Sequence, residues 1–313
     1  MKLTVDLGSK VGSNEARLQE AAKREELLKL ERDIQIGREI QQGFLPATLP
    51  QPEDWEVVAC FHPAREVAGD FYDAFYMAKG RRLGFVVADV CDKGVGAALF
   101  MALFRTLVRS NAQQTHSLSW LDSGSGGQED AEEWLTGSRV RGRSSLPNIG
   151  TGALLNAVAG TNDYVIENHM MQGYFVTLFF GVLDPTNGSI VYINGGHNPP
   201  IVVRTGGSME FLKPTGPAVG MMPNVKFEFG QTRLAPGDFL YAFTDGVTDA
   251  RSPDGAFFGE KRLLETVGRG ATSAAELVNE IESRLQAHID GGVQFDDITM
   301  MAIRRSSSPS ERI

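Results

Sequence analysis

At 313 residues, 42% apolar and 22% charged, the chain is long enough for one large domain with an appendage or for two small domains. A formal charge of -9 opposes non-specific binding to phosphate backbones, and two cysteines, Cys60 and Cys91, are too few for a disulfide framework. No run approaches the roughly 18 apolar residues of a membrane helix, and "MKLTVDLGSKVGSNEARLQE" lacks the basic-then-apolar layout of a signal peptide. The expectation is a cytoplasmic protein with no nucleic-acid partner and no membrane span.

Residues 14 to 43 are charge-rich and free of proline. Leu27, Leu30, Ile34, Gly37, Gln41 and Phe44 recur at alternating spacings of three and four, which predicts a helix with a short coiled-coil-like seam ending before Pro46. Two readings stand: a helix that pairs between protomers of a homodimer, or one packed on its own domain. From Trp55 on, "WEVVACFH", "DFYDAFYM" and "RLGFVVADV" read as strands, the last two joined through "AKGR" as an antiparallel hairpin. Residues 94 to 112 are helical by period. The Gly/Ser-rich stretch at about 119 to 149 has no apolar face to bury and is expected to be a mobile insertion; its "RVRGR" reads as a solvated loop.

A second helix is expected over about 150 to 170, followed by a meander with turns at "DPTNG", "GGHNPP" and "TGG". A strand then precedes "TDGVTD", a helix spans about 272 to 289, and "DDITMMAI" closes as a buried strand. Strand runs interrupted by helix pairs predict an α+β fold of antiparallel sheets flanked by helices. The expected plan is a helical linker over 1–45, one sheet-and-helix domain over 46–305 and a disordered tail over 306–313.

Four acids share one local pattern: Asp70 in "VAGDFYD", Asp89 in "VVADVCDKG", Asp245 in "YAFTDGVTD" and Asp296 in "VQFDDITMM". Each sits where an apolar strand begins or ends. A buried carboxylate is costly unless it is paired or bound to metal, and no equally regular set of Arg or Lys at strand ends neutralises these. A divalent cation resolves the conflict. Oxygen-only donors favour magnesium, manganese or calcium over zinc, since neither the His nor the Cys residues fall in a zinc spacing. Taken singly, each acid has a plain alternative: Asp89 accepting from the "KGVG" amides, or Asp245 opening a turn with Gly246. Four together, most with a glycine or a second acid beside them, favour the metal.

The motifs "PAREVAGDFYD", "VADVCDKGVGAALFMA", "YFVTLFFGVLD", "NGGHNPPIV", "LAPGDFLYAFTDGVTDAR" with "FGEKRL", and "FDDITMMAI" occur in order between about residues 38 and 304. They resemble the bacterial SpoIIE/RsbU branch of the PPM (type 2C) metal-dependent serine/threonine phosphatases, and "GREIQQGFLP" is similar to the helix that leads into that domain. The resemblance implies an α-β-β-α sandwich with two cations, Mn2+ or Mg2+, at one end of the paired sheets. It implies that Asp89 bridges both ions, that Asp70 and the Val90 backbone carbonyl complete one site, and that Asp245 and Asp296 hold the other. Asp297 would stand beside them as an outer partner or occasional ligand. In-line hydrolysis by a water activated between the cations follows, with no phosphoenzyme. Arg65, five residues before Asp70, is the nearest cationic candidate for positioning the phosphate.

Two positions depart from the family pattern: Ala68 stands where a glycine often sits, and Cys91 where relatives outside this branch often place a histidine. A nucleophilic Cys91 is disfavoured, because neighbouring anions raise a thiol's pKa. His197 in "GGHNPP" has the chemistry of a proton carrier, but a turn in which His and Asn bond to backbone groups explains it adequately. "KGVG" lacks the Lys-Ser/Thr ending of a phosphate-binding loop. The resemblance implies a phosphoserine or phosphothreonine substrate on a bacterial regulatory protein, a STAS-type anti-sigma-factor antagonist. Two alternatives remain: a catalytically silent binding module of the same fold, against which the intact acid set argues, and another two-metal enzyme such as a nucleotidyl cyclase, for which no base-binding motif is found.

Overall fold

The computed structural model describes residues 4–118 and 150–307. The expected insertion at 119–149 and the expected tail beyond Ser307 lie outside the described residues. The chain divides after Phe44 into two units. The first is one helix, α1 (Thr4–Phe44), which begins earlier than the seam from residue 14 predicts. Leu27, Leu28 and Leu30 are exposed along it. None of the described helices is long and apolar enough to cross a membrane.

In the second unit the strands follow in chain order as β1 (Trp55–His62), β2 (Phe71–Met77), β3 (Arg82–Val90), β4 (Val176–Leu183), β5 (Ser189–Gly195), β6 (Ile201–Val203), β7 (Met209–Phe211), β8 (Gly230–Arg233), β9 (Phe239–Phe243) and β10 (Ile298–Arg305). They form two antiparallel five-stranded sheets, ordered β1-β10-β9-β6-β7 and β2-β3-β4-β5-β8. Helices α2 (Val95–Leu118) and α3 (Thr151–His169) cover the second sheet. A single turn, α4 (Asp245–Thr248), leads to α5 (Gly259–Val267) and α6 (Ala274–Ile289), which cover the first sheet. The result is the α-β-β-α sandwich. α6 starts close to its predicted position because Ser273 caps it, accepting from Glu276 N at 3.0 Å, while the Glu276 carboxylate reaches back to Thr272 N.

A two-residue period decides what each strand residue faces. In β3, Leu83, Phe85 and Val87 enter the gap between the sheets, while Val86, Ala88 and Val90 face α2 and α3. In β10, Met301 and Ile303 enter the gap, while Ile298, Met300 and Ala302 face α5 and α6. Burial on both faces is why these strands read as continuous apolar runs. Carried one step further, the same alternation puts Asp89 and Asp297 on the inter-sheet side at one end of the sandwich. It puts Asp73 of β2 on the opposite face, where Arg105 and Arg109 of α2 neutralise it at 3.1 and 3.0 Å.

One expectation needs correction. The predicted meander is not continuous: β5 lies in one sheet and β6 in the other, so the "GGHNPP" turn is a crossing between sheets. Gly196, with φ of 67°, makes that crossing possible, because a Cβ there would stand 3.0 Å from Ala218 N.

The inter-sheet packing yields a direct test. Phe85 lies opposite Gly181, and a Cβ on Gly181 would meet the Phe85 ring at 2.2 Å. Gly181→Val is expected to lower unfolding free energy by about 2 kcal/mol or more through overpacking, read from the midpoint of denaturant unfolding. An unchanged midpoint would show that the ring has room to move.

Candidate active site

Asp70, which immediately precedes β2, is only 2% exposed. Its Oδ2 accepts from Thr244 Oγ1 at 2.7 Å and from Thr299 Oγ1 at 2.6 Å. Thr299 N in turn donates to Thr244 Oγ1 at 3.0 Å. Thr299 of β10 and Thr244, just after β9, therefore orient a carboxyl borne at the start of β2 in the other sheet, where the charge of Asp89 acts on it.

Asp297 fixes the loop between β1 and β2. Its Oδ1 accepts from Ala64 N at 2.7 Å and its Oδ2 from Gly69 N at 2.9 Å. Gly69 is the glycine this loop needs, since a Cβ there would lie 2.8 Å from the Val90 carbonyl oxygen. Ala68 is buried and keeps a negative φ, so its departure from the family pattern carries no backbone strain. On the far side, Asp245 opens α4, and a Cβ on Gly246 would come within 1.9 Å of the Asp297 carbonyl oxygen. Only glycine lets that turn lie against the Asp296–Asp297 pair.

Lys93 adds a partner that the sequence reading did not consider. Its Nζ pairs with Asp296 Oδ2 at 2.7 Å and donates to Phe295 O at 3.0 Å, so this acid does have a cationic partner. The lysine comes from the turn after β3, not from a strand end, which is why a search of strand ends misses it. The same turn takes one of the "KGVG" amides away from Asp89. Lys93 N donates to Asp92 Oδ1 at 2.8 Å, and left-handed backbone at Asp92 and Gly94, with φ of 71° and 88°, swings the chain into α2.

The acids repel one another. Burial, then the charges of Asp89 and Asp297, hold the Asp70 carboxyl well above its usual range. Burial, then Asp245, pushes Asp89 up to about 7. Asp245 is raised by burial and by Asp296 and Asp249, with Lys93 opposing, and burial raises Asp297 against its backbone hydrogen bonds. Asp89 stands at the centre of this repulsion: its charge raises Asp70, it is itself raised by Asp245, Asp296 and Asp297, and Asp296 also raises Asp297. Among the described residues, no three of these aspartates offer oxygens all within 4.8 Å of one another, so they do not converge on a single point. Asp73, with its two arginines, shows how the same chain neutralises a buried carboxylate by side chains alone. The site's oxygen-rich, cation-poor donor set fits hard divalent cations.

Other candidates fall elsewhere. Arg65 is exposed on the β1–β2 loop and makes no ion pair among the described residues. Cys91 Sγ accepts from Phe175 N at 3.2 Å, and burial, with Asp89 and Asp92 adding, raises its thiol. His197 is buried; its Nδ1 lies 2.9 Å from Thr177 Oγ1, and burial pushes it down to about 4, so it is neutral. Its backbone N donates to Asn194 Oδ1 at 2.8 Å, which gives it the turn role. Sequence reasoning missed Lys93, Thr244, Thr299 and Asp249. The threonines were legible in principle, as polar residues at inward positions of apolar strands, and Asp249 as the residue one helical turn after Asp245.

Two stacked five-stranded sheets between helix pairs, with acids at one end, define the PP2C-type fold. The SiaA-PP2C domain of Pseudomonas aeruginosa shares it with a TM-score of 0.64 at 20% identity, over 88% of this chain and 97% of that one. Residues 79–306 match the family described as Stage II sporulation protein E (SpoIIE), and the chain belongs to this SpoIIE/RsbU-like family of PPM phosphatases. Protein IcfG of Synechocystis sp. (strain ATCC 27184 / PCC 6803 / Kazusa) is 44% identical over 274 residues, covering 88% of this chain and 42% of IcfG. Phosphoserine phosphatase RsbU of Bacillus subtilis (strain 168) is 24% identical over 275 residues, covering 87% of this chain and 70% of RsbU. The chain therefore spans less than half the length of IcfG.

The raised carboxyls predict a pH dependence of stability. Asp89 ionises near 3.8 when unfolded and at about 7 when folded, so between these values the folded state holds the extra proton. Its contribution to stability falls as pH rises through that window and stays low above it. His197 acts in the opposite sense between about 4 and 6.5, so the difference between wild type and Asp89→Asn reports Asp89 together with the repulsion it exerts on Asp70. In metal-free protein, Asp89→Asn is expected to raise the melting temperature by several degrees at about pH 8 and far less at about pH 5. An equal shift at both would contradict the assignment.

Proposed function

We propose that this domain hydrolyses phosphoserine or phosphothreonine on a regulatory protein, of the STAS-type antagonist class, with two divalent cations held around Asp89. The observation that carries the reading is a set of buried and half-buried aspartates gathered around Asp89 that has, among the described residues, Lys93 as its close cationic partner. Asp70 and the Val90 carbonyl would hold one ion and Asp245 and Asp296 the other, with Asp89 shared; because the oxygens of Asp89, Asp245 and Asp296 do not all lie within 4.8 Å of one another, binding of the second ion would have to draw them together. Magnesium or manganese suits such oxygen donors. When bound, the ions supply the Lewis acidity that makes water a competent nucleophile towards phosphorus near neutral pH.

The chain's own residues do the rest. Thr244 and Thr299 fix the Asp70 carboxyl, so its geometry is set before any ligand arrives. Asp297, with both oxygens committed to Ala64 N and Gly69 N, acts as the clamp of the loop that carries Asp70 more than as a ligand. Lys93 holds Asp296 and lowers the local repulsion. Arg65, exposed on that loop, is free to meet the phosphate of an incoming protein. Relatedness to a protein named phosphoserine phosphatase supports the phosphoserine substrate. The STAS-type partner rests on the family resemblance.

Phosphate release from a phosphoserine protein, dependent on manganese and absent with nucleotides, tests the reading. Asp89→Asn should lower that rate more than tenfold at saturating manganese, equivalent to about 1.4 kcal/mol of barrier or more. Retention of more than a tenth of the rate would remove Asp89 from the bridging position.

The exposed leucines of α1 support a regulatory role for that helix. Leu30→Glu combined with Ile34→Glu is expected to weaken self-association and to change phosphatase rate without altering the fold, because a seam of so few heptads is easily disrupted. Sedimentation and kinetics on the same samples check it. An unchanged mass would remove the coiled-coil reading, and an unchanged rate despite a changed mass would leave α1 a tether.

A further inference from the structure

The outer face of β1 carries a second group of metal-competent side chains, on the side of the sheet opposite to the inter-sheet gap. Cys60 and His62 are two residues apart, so the strand period turns both towards α6, from which Glu282 reaches back. Cys60 Sγ lies 3.1 Å from His62 Nε2, and Glu282 Oε1 lies 2.7 Å from that same nitrogen. The three ligand atoms all lie within 4.8 Å of one another, a property that no other His, Cys, Asp or Glu group has among the described residues. The His62 and Glu282 side chains are 37% and 33% exposed, which leaves the point open to solvent.

The way these groups meet argues against a nucleophile relay. In a Cys–His–acid relay the thiol and the carboxylate take opposite ring nitrogens, so that the acid orients the base. Here both crowd Nε2, and one imidazole N–H cannot serve two acceptors. Burial, with Glu282 adding, pushes the Cys60 thiol up to about 12, so in the absence of a cation it stays protonated and unreactive. One sulfur, one imidazole nitrogen and one carboxylate oxygen converging on a single point are a donor set that zinc-class ions take, with a fourth position left for solvent. An ion about 2.0 Å from the nitrogen and about 2.3 Å from the sulfur needs those atoms roughly 3.5 Å apart, so the site has to open by less than about 1 Å.

We propose that Cys60, His62 and Glu282 form a second cation site, for a thiophilic divalent ion of the zinc class, distinct from the oxygen-only aspartate cluster. Binding releases the thiol proton and shifts the imidazole proton to Nδ1; the thiolate and carboxylate charges then balance the ion. The site reaches the aspartates through one side chain. Gln294 Nε2 donates to His62 O at 2.7 Å and to Asp296 O at 2.7 Å, so an ion that fixes the end of β1 also steadies the backbone carrying Asp296.

The full chain, stripped of metal and titrated with Co2+ as a spectroscopic stand-in for zinc, tests this. The expected result is a thiolate-to-cobalt charge-transfer band in the near ultraviolet that saturates at one equivalent and is displaced by zinc but not by excess magnesium. Cobalt on the aspartates has no thiolate and gives no such band. Cys60→Ser should abolish it and Cys91→Ser should leave it intact. A missing band in the wild type, or one that survives Cys60→Ser and disappears in Cys91→Ser, overturns the assignment. Glu282→Gln, which alters a partly exposed side chain and leaves the core untouched, should weaken cobalt binding tenfold or more; unchanged affinity overturns the proposal even if Cys60→Ser fails to fold.

Discussion

Mutual repulsion among buried and half-buried aspartates around Asp89 is the constraint on which the rest of this structure depends. Left to itself such a cluster would separate or protonate, and the carboxyls of Asp70, Asp89, Asp245 and Asp297 are all pushed towards the protonated form. What keeps them together is rigid framework. Asp70 is held from the opposite sheet by two hydroxyls, Asp297 is locked by the amides of Ala64 and Gly69, and Asp245 is brought close because Gly246 leaves no side chain in the way. Each of these devices stabilises a geometry that electrostatics alone disfavours, the arrangement expected of a preorganised cation site.

The sandwich supplies that framework through its alternation. Because β3 and β10 are apolar on both faces, their inward and outward residues are fixed without ambiguity, and a one-residue slip would move Asp89 and Asp297 out of the gap. The same parity sends Asp73 to the helix side, where arginines neutralise it, and sends Cys60 and His62 to the face covered by α6. One periodicity thus produces three polar centres with three different solutions: a salt-bridged core acid, a cation-poor aspartate cluster, and a mixed sulfur, nitrogen and oxygen group.

Much of this was legible in the sequence because its signals are local. The two-sided apolar strands, the acids at their ends and the glycines beside Asp70 and Asp245 announce both the fold class and the main cluster. The rest depends on pairing that no window along the chain reveals. Glu282 meets His62 across 220 positions, and Thr244 reaches Asp70 across 174. Lys93 was hidden differently, since a lysine in a glycine turn reads as solvated until Asp296 is placed beside it. The sheet crossing at "GGHNPP" looked like a hairpin for the same reason: turn chemistry shows where the chain bends, not which sheet it enters.

The most direct test of the central claim is a count of cations, independent of any substrate. Calorimetric titration of the metal-free chain with manganese, carried out on a Cys60→Ser background to silence the mixed-ligand group, should show two ions bound in the presence of Asp89 and neither bound with comparable affinity in Asp89→Asn. Undiminished binding of both ions after that substitution would contradict an aspartate cluster organised around Asp89.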